Sequence, residues 1–507
     1  MDAGIFIDRE ELREDFKNQC NNLSAGGSKI INYYGVAGMG KTALLKNLME
    51  SLQGNSIDYV YHDFDSVNDM RVVLKKLARR FSKMGFEFPL FEMGCYLYEV
   101  NIGENVYPPK QKNFLEEYPF LTNNVGLAAA IASTVATGGV AGVVVGVDAA
   151  VKALPLISDL IVKVYNYCVE NIGADSAYKK HVEKTIEELK NLDENTTNEN
   201  DFEDKFVNLF AQDFSHCMQK NNRKVAIFLD SYEILLSKGK KTKEHPEPDW
   251  WLKELLNFEI PNVIWILSGR NKLRYLRGKA EQHELKPFDD VVSLKFLQSR
   301  GIEKNPALCY QLTKLTRGYP LYLELCAEHY KLLKKKDKHH EPDISEFGSE
   351  NEDFIERRNK IVFNLIECMD DTGIRETIKY FCALKIWSDD MAYSVIPVFN
   401  ETAYNILKNY SFVREADNDF YKKFFYVDNA VQEILLSKYK KENPFVIGNS
   451  LKNANKFFSE LIRNSADDYI FCGYCYRLWS DTIIRLVDDA GELKSLYEKF
   501  FEPRTGF

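Results

Sequence analysis

Gly35-Val36-Ala37-Gly38-Met39-Gly40-Lys41-Thr42 has the residue types and spacing needed to hold a run of phosphates. The glycines let backbone N–H groups curl around phosphate oxygens with no Cβ in the way. Val36, Ala37, Met39 and the following Ala43 complete the backbone of that cradle. Lys41 is placed to reach the β- and γ-phosphates, and the Thr42 hydroxyl to ligate Mg²⁺. A second chemical group stands far downstream, where Lys224-Val225-Ala226-Ile227-Phe228-Leu229 ends in Asp230, a carboxylate suited to the same Mg²⁺.

These groups need particular elements to position them. Ser28 to Tyr34 is a β-favouring run leading into the glycine loop. Ala43 to Leu52 repeats its apolar residues at helical spacing and ends near Gly54. Strand, loop and helix in that order put the partial positive charge of a helix N-terminus beneath the phosphates. A second strand, Ile57 to His62, ends in Asp63-Phe64-Asp65, and the run closing in Asp230 reads as a buried parallel strand. Glu233, three residues on, has two readings: it polarises a water, or it is a solvated residue at a helix start. Val263 to Leu267 is a further apolar strand followed by Ser268-Gly269-Arg270. An Arg at the carboxyl end of a parallel strand lies where open α/β sheets bind ligands. Arg270 is therefore a candidate γ-phosphate sensor, its other reading being an ordinary surface Arg. Asn271-Lys272-Leu273-Arg274 lacks the Asp of an Asn/Thr-Lys-x-Asp guanine-reading motif, which points away from a dedicated GTPase.

With 507 residues the chain exceeds what one hydrophobic core supports, so three or four domains are expected. A formal net charge of −9 argues against broad charge-driven binding to nucleic acid. The 10 cysteines are scattered, as suits a reducing compartment. Cys472 and Cys475 form the one C-x-x-C and read as helix-packing thiols, because no second ligand pair accompanies them. Met1-Asp2-Ala3-Gly4-Ile5 lacks a basic region followed by an apolar core, so a cytoplasmic location is expected.

Taken together, these motifs resemble the STAND class of signal-transduction ATPases, AAA+-related and akin to the NACHT and NB-ARC switch proteins. Phe6-Ile7-Asp8-Arg9-Glu10-Glu11-Leu12 is similar to the family's opening hydrophobic-Gly-Arg-Glu signature, with Asp8 in place of Gly. The resemblance implies that Arg9 lies near the adenine. It also makes Ser268-Gly269-Arg270 a sensor strand end. Leu315-Thr316-Arg317-Gly318-Tyr319-Pro320-Leu321 is similar to the family's Gly-x-Pro motif, whose Pro, here Pro320, contacts the base in the closed ADP form. A winged helix is implied next, and Thr377 to Tyr439 fits it, with Phe412 to Glu415 and Phe424 to Val427 as the wing. Many relatives follow the wing with a His that touches the β-phosphate. Here Val427-Asp428-Asn429-Ala430 has none, leaving Asp428 or Asn429 as substitutes.

The expected fold is an α/β P-loop NTPase domain, a parallel sheet with flanking helices, over residues 1–270. A helical lid (271–345), a winged-helix domain (350–445) and the start of an α-helical repeat-like arm (446–507) follow. Residues 66 to about 205 read mostly as an insertion, with Met70 to Phe81 helical and Pro89 to Pro119 a loop with short elements. Val125 to Val147 lies in a stretch uncharged from Tyr118 to Val147 and is long enough to span a membrane. Because Lys41 and Asp230 must meet in one site, constitutive spanning is rejected. A self-packing helical hairpin is expected instead, with an oligomer contact or an activation-dependent membrane segment as the other readings. Lys331 to Asn351 reads as an interdomain linker. The arm is expected to be truncated, and no N-terminal effector is expected ahead of the glycine loop.

The sequence thus predicts a switch that binds ATP or ADP with Mg²⁺ and hydrolyses slowly. On an unknown protein or ligand trigger it homo-oligomerises, its output coming from the 66–205 insertion, a separate effector protein or a missing C-terminal segment, in bacterial stress signalling or defence against phage by resemblance. Two rivals stand beside it: a non-hydrolysing nucleotide scaffold, and an AAA+ ATPase that loads on DNA through its winged helix. Against the second, Asp230 precedes Ser231 rather than Glu, and Glu401 to Asn409 carries only Lys408 as a cation.

Overall fold

The computed structural model describes residues 7, 9–24, 26–54, 56–65, 68–101, 118–124, 161–170, 176–190, 199–221, 223–238, 247–273, 276, 278–369, 372–416 and 423–464. They form two compact units, one within residues 10–34 and 41–284, the other within residues 1–9, 35–40 and 285–507.

The first unit is built on a five-stranded sheet: β1 (Ser28–Tyr34), β2 (Ile57–Asp63), β3 (Lys224–Asp230), β4 (Val263–Gly269) and β5 (Ala280–Glu284). The order is β2-β3-β4-β1-β5 and every pairing is parallel. β4 is buried along its whole length and β3 along all but its first residue, which is why both read as unbroken apolar runs. Register places Tyr34 beside Gly269 and Asp63 beside Asp230, so the chemically interesting strand ends gather at one edge. β5 was not anticipated. Its Ala-Glu-Gln-His-Glu sequence has no apolar pattern because it is an edge strand with only partly covered side chains.

Within the insertion, Pro89–Asn101 is a helix rather than the expected loop. Proline is tolerated at a first helical position, where no N–H is needed. The buried Asp213 caps this helix by accepting from the Phe91 N–H at 2.9 Å. The helices Met70–Ser82, Pro89–Asn101 and Glu199–Asn221 share one hydrophobic core with β3 and β4, through aromatic contacts such as Phe81 with Phe214 and Phe88 with Phe210. Val125 to Val147 lies outside the described residues, as do Cys472 and Cys475. Among the described residues no helix is long and apolar enough to cross a membrane.

The second unit begins with the helices Asp290–Ser299, Pro306–Thr316, Pro320–Lys336 and Phe354–Cys368. The expected linker is shorter than its composition implied. Pro320–Lys336 runs on through the lysines, and a 3₁₀ turn at Ile344–Glu346 is closed by a capping box between Asp343 and Glu346. A winged-helix arrangement follows: helix Thr372–Phe381, strand β6 (Trp387–Ser388), helices Asp389–Val395 and Glu401–Leu407, the wing strands β7 (Val413–Glu415) and β8 (Phe424–Val427), and helix Asn429–Glu442. The strands pair antiparallel in the order β6-β8-β7. The wing falls where the sequence put it, while the two-residue β6 is too short to carry a pattern. Of the arm, the helix Pro444–Asn464 is described.

Ser411 ties the winged helix to the lid. Ser411 donates to Glu328 through its backbone N–H, at 2.8 Å, and through its hydroxyl, at 3.0 Å. Burial pushes the Glu328 carboxyl from its ordinary 4.5 up to about 7, with Glu324 adding to the rise and Ser411 and Lys331 opposing it. The folded chain therefore holds an extra proton between those two values. The stability this contributes is complete below the lower value and is lost as pH rises through the upper one. Glu328→Gln keeps an oxygen to accept from the Ser411 N–H and offers an NH₂ that donates to the Ser411 hydroxyl, without the charge. Thermal unfolding should show the variant more stable than wild type at pH 8, by on the order of 1–2 kcal/mol, and nearly equal at pH 5. A pH-independent difference would count against this account.

Candidate functional site

The glycine loop is shaped by contacts that exclude side chains. Gly38 and Gly40 adopt left-handed backbone angles, with φ of +83° and +80°. A Cβ on Gly38 would sit 3.1 Å from the Leu321 Cβ, and the Leu321 N–H donates to the Gly38 carbonyl at 3.2 Å. The helix that starts at Pro320 therefore rests on the loop. Gly35 is equally confined, since its Cβ would approach the Leu285 carbonyl to 2.7 Å. Met39 is buried and anchors the loop, while Val36 projects outward.

Arg9 and the Gly-x-Pro motif converge on the segment 285–288. The Arg9 guanidinium donates to the Lys286 carbonyl at 2.5 Å and lies 5.3 Å from the centre of the Phe288 ring. Phe288 donates its N–H to the Gly318 carbonyl at 2.9 Å, and a Cβ on Gly318 would fall 2.0 Å from the Phe288 carbonyl oxygen. The structure thus brings Arg9, Gly35 and Gly318 around one short stretch, while Gly38 meets the helix that starts at Pro320. Leu285-Lys286-Pro287-Phe288 itself carried no signal that sequence reasoning could use.

At the carboxyl ends of β2, β3 and β4 a second group forms. The Thr42 hydroxyl donates to Asp230 Oδ2 at 2.6 Å, uniting the two residues expected to serve Mg²⁺. Asp230 also accepts from the Tyr61 hydroxyl at 3.2 Å, the Ser231 N–H at 2.9 Å and the Ser268 hydroxyl. Asp63 stands beside it. Burial, then the charges of Asp230 and Asp65, push the Asp63 carboxyl up to about 7. A hydroxyl and a carboxylate offer the hard oxygen donors that Mg²⁺ prefers, and the surplus negative charge there suits a divalent cation. The donor set therefore fits Mg²⁺, which Thr42 and Asp230 would hold. Tyr61, Asp63 and Ser268 were missed as site members, although Asp63 and Ser268 were visible as strand ends.

Glu233 and Arg270 form a pair. Glu233 opens the helix Glu233–Lys238, and its two carboxylate oxygens accept from the Arg270 backbone N–H and Nε, each at 3.1 Å. The bare Gly269 makes room, because a Cβ there would lie 3.1 Å from Glu233 Oε2. The two candidates from separate motifs are thus one charge-balanced unit, and Glu233 is not simply a solvated helix start.

In the winged helix, Asp428 pairs with Arg414 at 2.7 Å and caps the helix that follows it. Burial pushes the Tyr322 phenol up to about 12, with Arg358 opposing and Asp428 adding to the rise. Arg358 and Asp428 therefore stand near the start of the helix bearing Pro320. Arg358 was not anticipated.

No protein-family model matches the chain, and no curated protein matches it in sequence. Among solved structures, it is similar to a STAND protein with a tetratricopeptide repeat sensor from Pyrococcus horikoshii. That likeness has 13% identity and a TM-score of 0.45, and covers 96% of this chain but 54% of the other. The chain thus spans about half the length of that protein. It is also similar to the Aeropyrum pernix ORC2 protein in its ADPNP and ADP complexes, at 11% identity and a TM-score of 0.29 over 85% of this chain and 93% of that one. Cdc6p from Pyrobaculum aerophilum matches at 10% identity and a TM-score of 0.31, over 87% and 97% of the two chains. At such values the functional reading has to stand on this chain's own residues.

The close approach at residue 318 yields a test. Gly318→Ala should destabilise its unit by more than about 2 kcal/mol, because left-handed strain and a backbone clash add. Gly301 is also left-handed, with φ +99° but open space where its Cβ would go. Gly301→Ala should cost only about 1 kcal/mol. Equal losses in urea unfolding would remove the clash argument.

Proposed function

We propose that the chain is a Mg²⁺-dependent ATP- and ADP-binding switch of the STAND type. The observation that carries this reading is the Leu321-to-Gly38 hydrogen bond, because it couples the position of the Pro320 helix to the conformation of the glycine loop. A nucleotide seated on that loop must favour one lid position over another, which is the requirement for a ligand-driven switch. The loop leads directly into Lys41 and Thr42, which supply a cation for the β- and γ-phosphates and a metal ligand. When bound, Mg²⁺ would neutralise phosphate charge beside Asp230.

The Glu233–Arg270 pair supports a role for the γ-phosphate. With ADP, Arg270 has no third phosphate to engage and remains on Glu233. With ATP, the γ-phosphate competes for the guanidinium, and the released Glu233 carboxylate can accept a proton from an attacking water. Arg9, the 285–288 segment and Pro320 are assigned to the base end. In this reading the trigger is an unidentified protein or ligand, the ATP form self-associates, and a separate effector delivers the output. A cytoplasmic setting in stress signalling or antiphage defence follows from the resemblance alone.

The DNA-loading reading is disfavoured because Lys408, the cation at the helix Glu401–Leu407, is tied to Asp389 at 3.0 Å. No gel shift is expected on duplex DNA at low salt, and a salt-sensitive shift would favour the loader instead.

The decisive measurement is mass in solution with ADP and with ATP plus Mg²⁺, alongside nucleotide affinity. Wild type should form a larger species with ATP, and Lys41→Ala should bind ATP at least about 100-fold more weakly and stay small. Arg270→Ala should weaken ATP roughly tenfold while leaving ADP unchanged. Glu233→Gln should slow turnover by about 100-fold. Unaltered turnover in Glu233→Gln would remove it as the base, and no turnover in wild type would favour the non-hydrolysing scaffold.

A further inference from the structure

A second group of metal-type ligands lies on the edge strand β5, apart from Thr42 and Asp230. Glu281 and His283 are two residues apart on β5 and therefore project from the same face. Asp15, from the helix Glu10–Asn21, comes to meet them. His283 Nε2 is 3.6 Å from Asp15 Oδ2 and 3.4 Å from Glu281 Oε1. All three donor atoms lie within 4.8 Å of one another.

Those separations are poor for hydrogen bonding. His283 Nε2 and Asp15 Oδ2 are buried and make no hydrogen bond among the described residues. They suit a shared ion well. Bonds of about 2.0–2.2 Å to a tetrahedral centre put neighbouring donors about 3.3–3.6 Å apart.

A separate observation points to the same spot. Tyr33 is wholly buried, its ring stacks on that of His283 with centroids 5.4 Å apart, and its hydroxyl has no hydrogen-bond partner among the described residues. An unpartnered buried hydroxyl is costly unless something at the site engages it.

Outer support is present as well. The Gln19 amide donates to Glu281 Oε2 at 2.5 Å, and the Lys29 ammonium donates to Gln19. This holds the far oxygen of Glu281 and leaves Oε1 turned to His283, as ligating carboxylates are usually held.

We propose that Asp15, Glu281 and His283 bind one divalent transition-metal ion of the zinc class, with water in the fourth position. The imidazole selects against Mg²⁺ and Ca²⁺, which take oxygen donors, and the mixed nitrogen and oxygen set suits Zn²⁺ or Co²⁺. The side chains remain partly exposed, 20% for His283, 34% for Asp15 and 43% for Glu281, so an ion can enter from solvent. The bound ion fastens the helix Glu10–Asn21 to an edge strand that is paired on one side only.

The test uses the full chain, stripped with EDTA and free of nucleotide, titrated calorimetrically with Zn²⁺ and spectroscopically with Co²⁺. One ion per chain is expected, with the same stoichiometry in Asp230→Asn, which disables the Mg²⁺ position. Cobalt should show visible ligand-field bands without a thiolate charge-transfer band. Zinc should raise the unfolding temperature reversibly. Affinity should fall at least tenfold in Asp15→Asn, in His283→Ala and in Glu281→Gln, the last being nearly isosteric and 43% exposed at its side chain. Absence of a bound ion in wild type would overturn the proposal. Zinc binding that survives both His283→Ala and Glu281→Gln would overturn it too.

Discussion

The hydrogen bond from Leu321 to Gly38 exists because residue 38 has no side chain, and much of the second unit is arranged around that close approach. Proline at position 320 starts its helix without needing an N–H, so the next amide, that of Leu321, is available for the loop. Gly318, two residues earlier, lets the chain pass against Phe288 with no space for a Cβ. Phe288 in turn forms the floor under Arg9. A backbone packed this tightly has discrete arrangements rather than a continuum, because a shift of a few tenths of an ångström meets hard contact. A loop whose shape changes with its occupant would therefore move the lid as a body.

The parallel sheet imposes a different constraint on its own unit. With every strand running the same way, the ends carrying Asp63, Asp230 and Gly269 must share one edge. That geometry concentrates carboxylates at one edge, which costs electrostatic repulsion between them. Burial is the main reason the Asp63 carboxyl is raised, and the neighbouring charges of Asp230 and Asp65 add to it. The Glu233–Arg270 pair, at the end of the adjacent strand β4, is balanced internally and adds no further charge.

The parts of this architecture that could be read from the sequence are those whose chemistry is local. The glycine loop, the apolar runs of β3 and β4 and the wing strands each carry their pattern within a few residues. The contacts that were missed join residues far apart in the chain or break a local rule. β5 is polar because it is an edge, and so the ligands it carries gave no strand signal. Pro89–Asn101 looked like loop because its capping group, Asp213, lies more than a hundred residues away. Glu233 and Arg270 were each visible at a strand end, yet only the fold reveals that they are partners. Asp428, considered as a stand-in for a missing His, proves to be engaged by Arg414.

Under the proposed reading, the strength of the Glu233–Arg270 pair limits how the switch can work. Arg270 is 44% exposed and Glu233 19%, and pairs this open to solvent contribute at most about 1 kcal/mol. A charge-assisted contact from Arg270 to a γ-phosphate contributes about 1.5–3 kcal/mol. Exchanging one for the other therefore favours the ATP form by on the order of 1–2 kcal/mol, a bias of roughly tenfold. Driving a two-state equilibrium from one extreme to the other takes about 5.5 kcal/mol. Nucleotide identity at this pair is too weak to throw the switch alone. The remainder has to come from contacts that differ between the two states elsewhere, such as those of the lid on the glycine loop, a bound trigger or the surfaces of a self-assembled form. Where self-association supplies that remainder, opening and assembly are one coupled step, so the ATP-dependent larger species should become more populated as protein concentration rises.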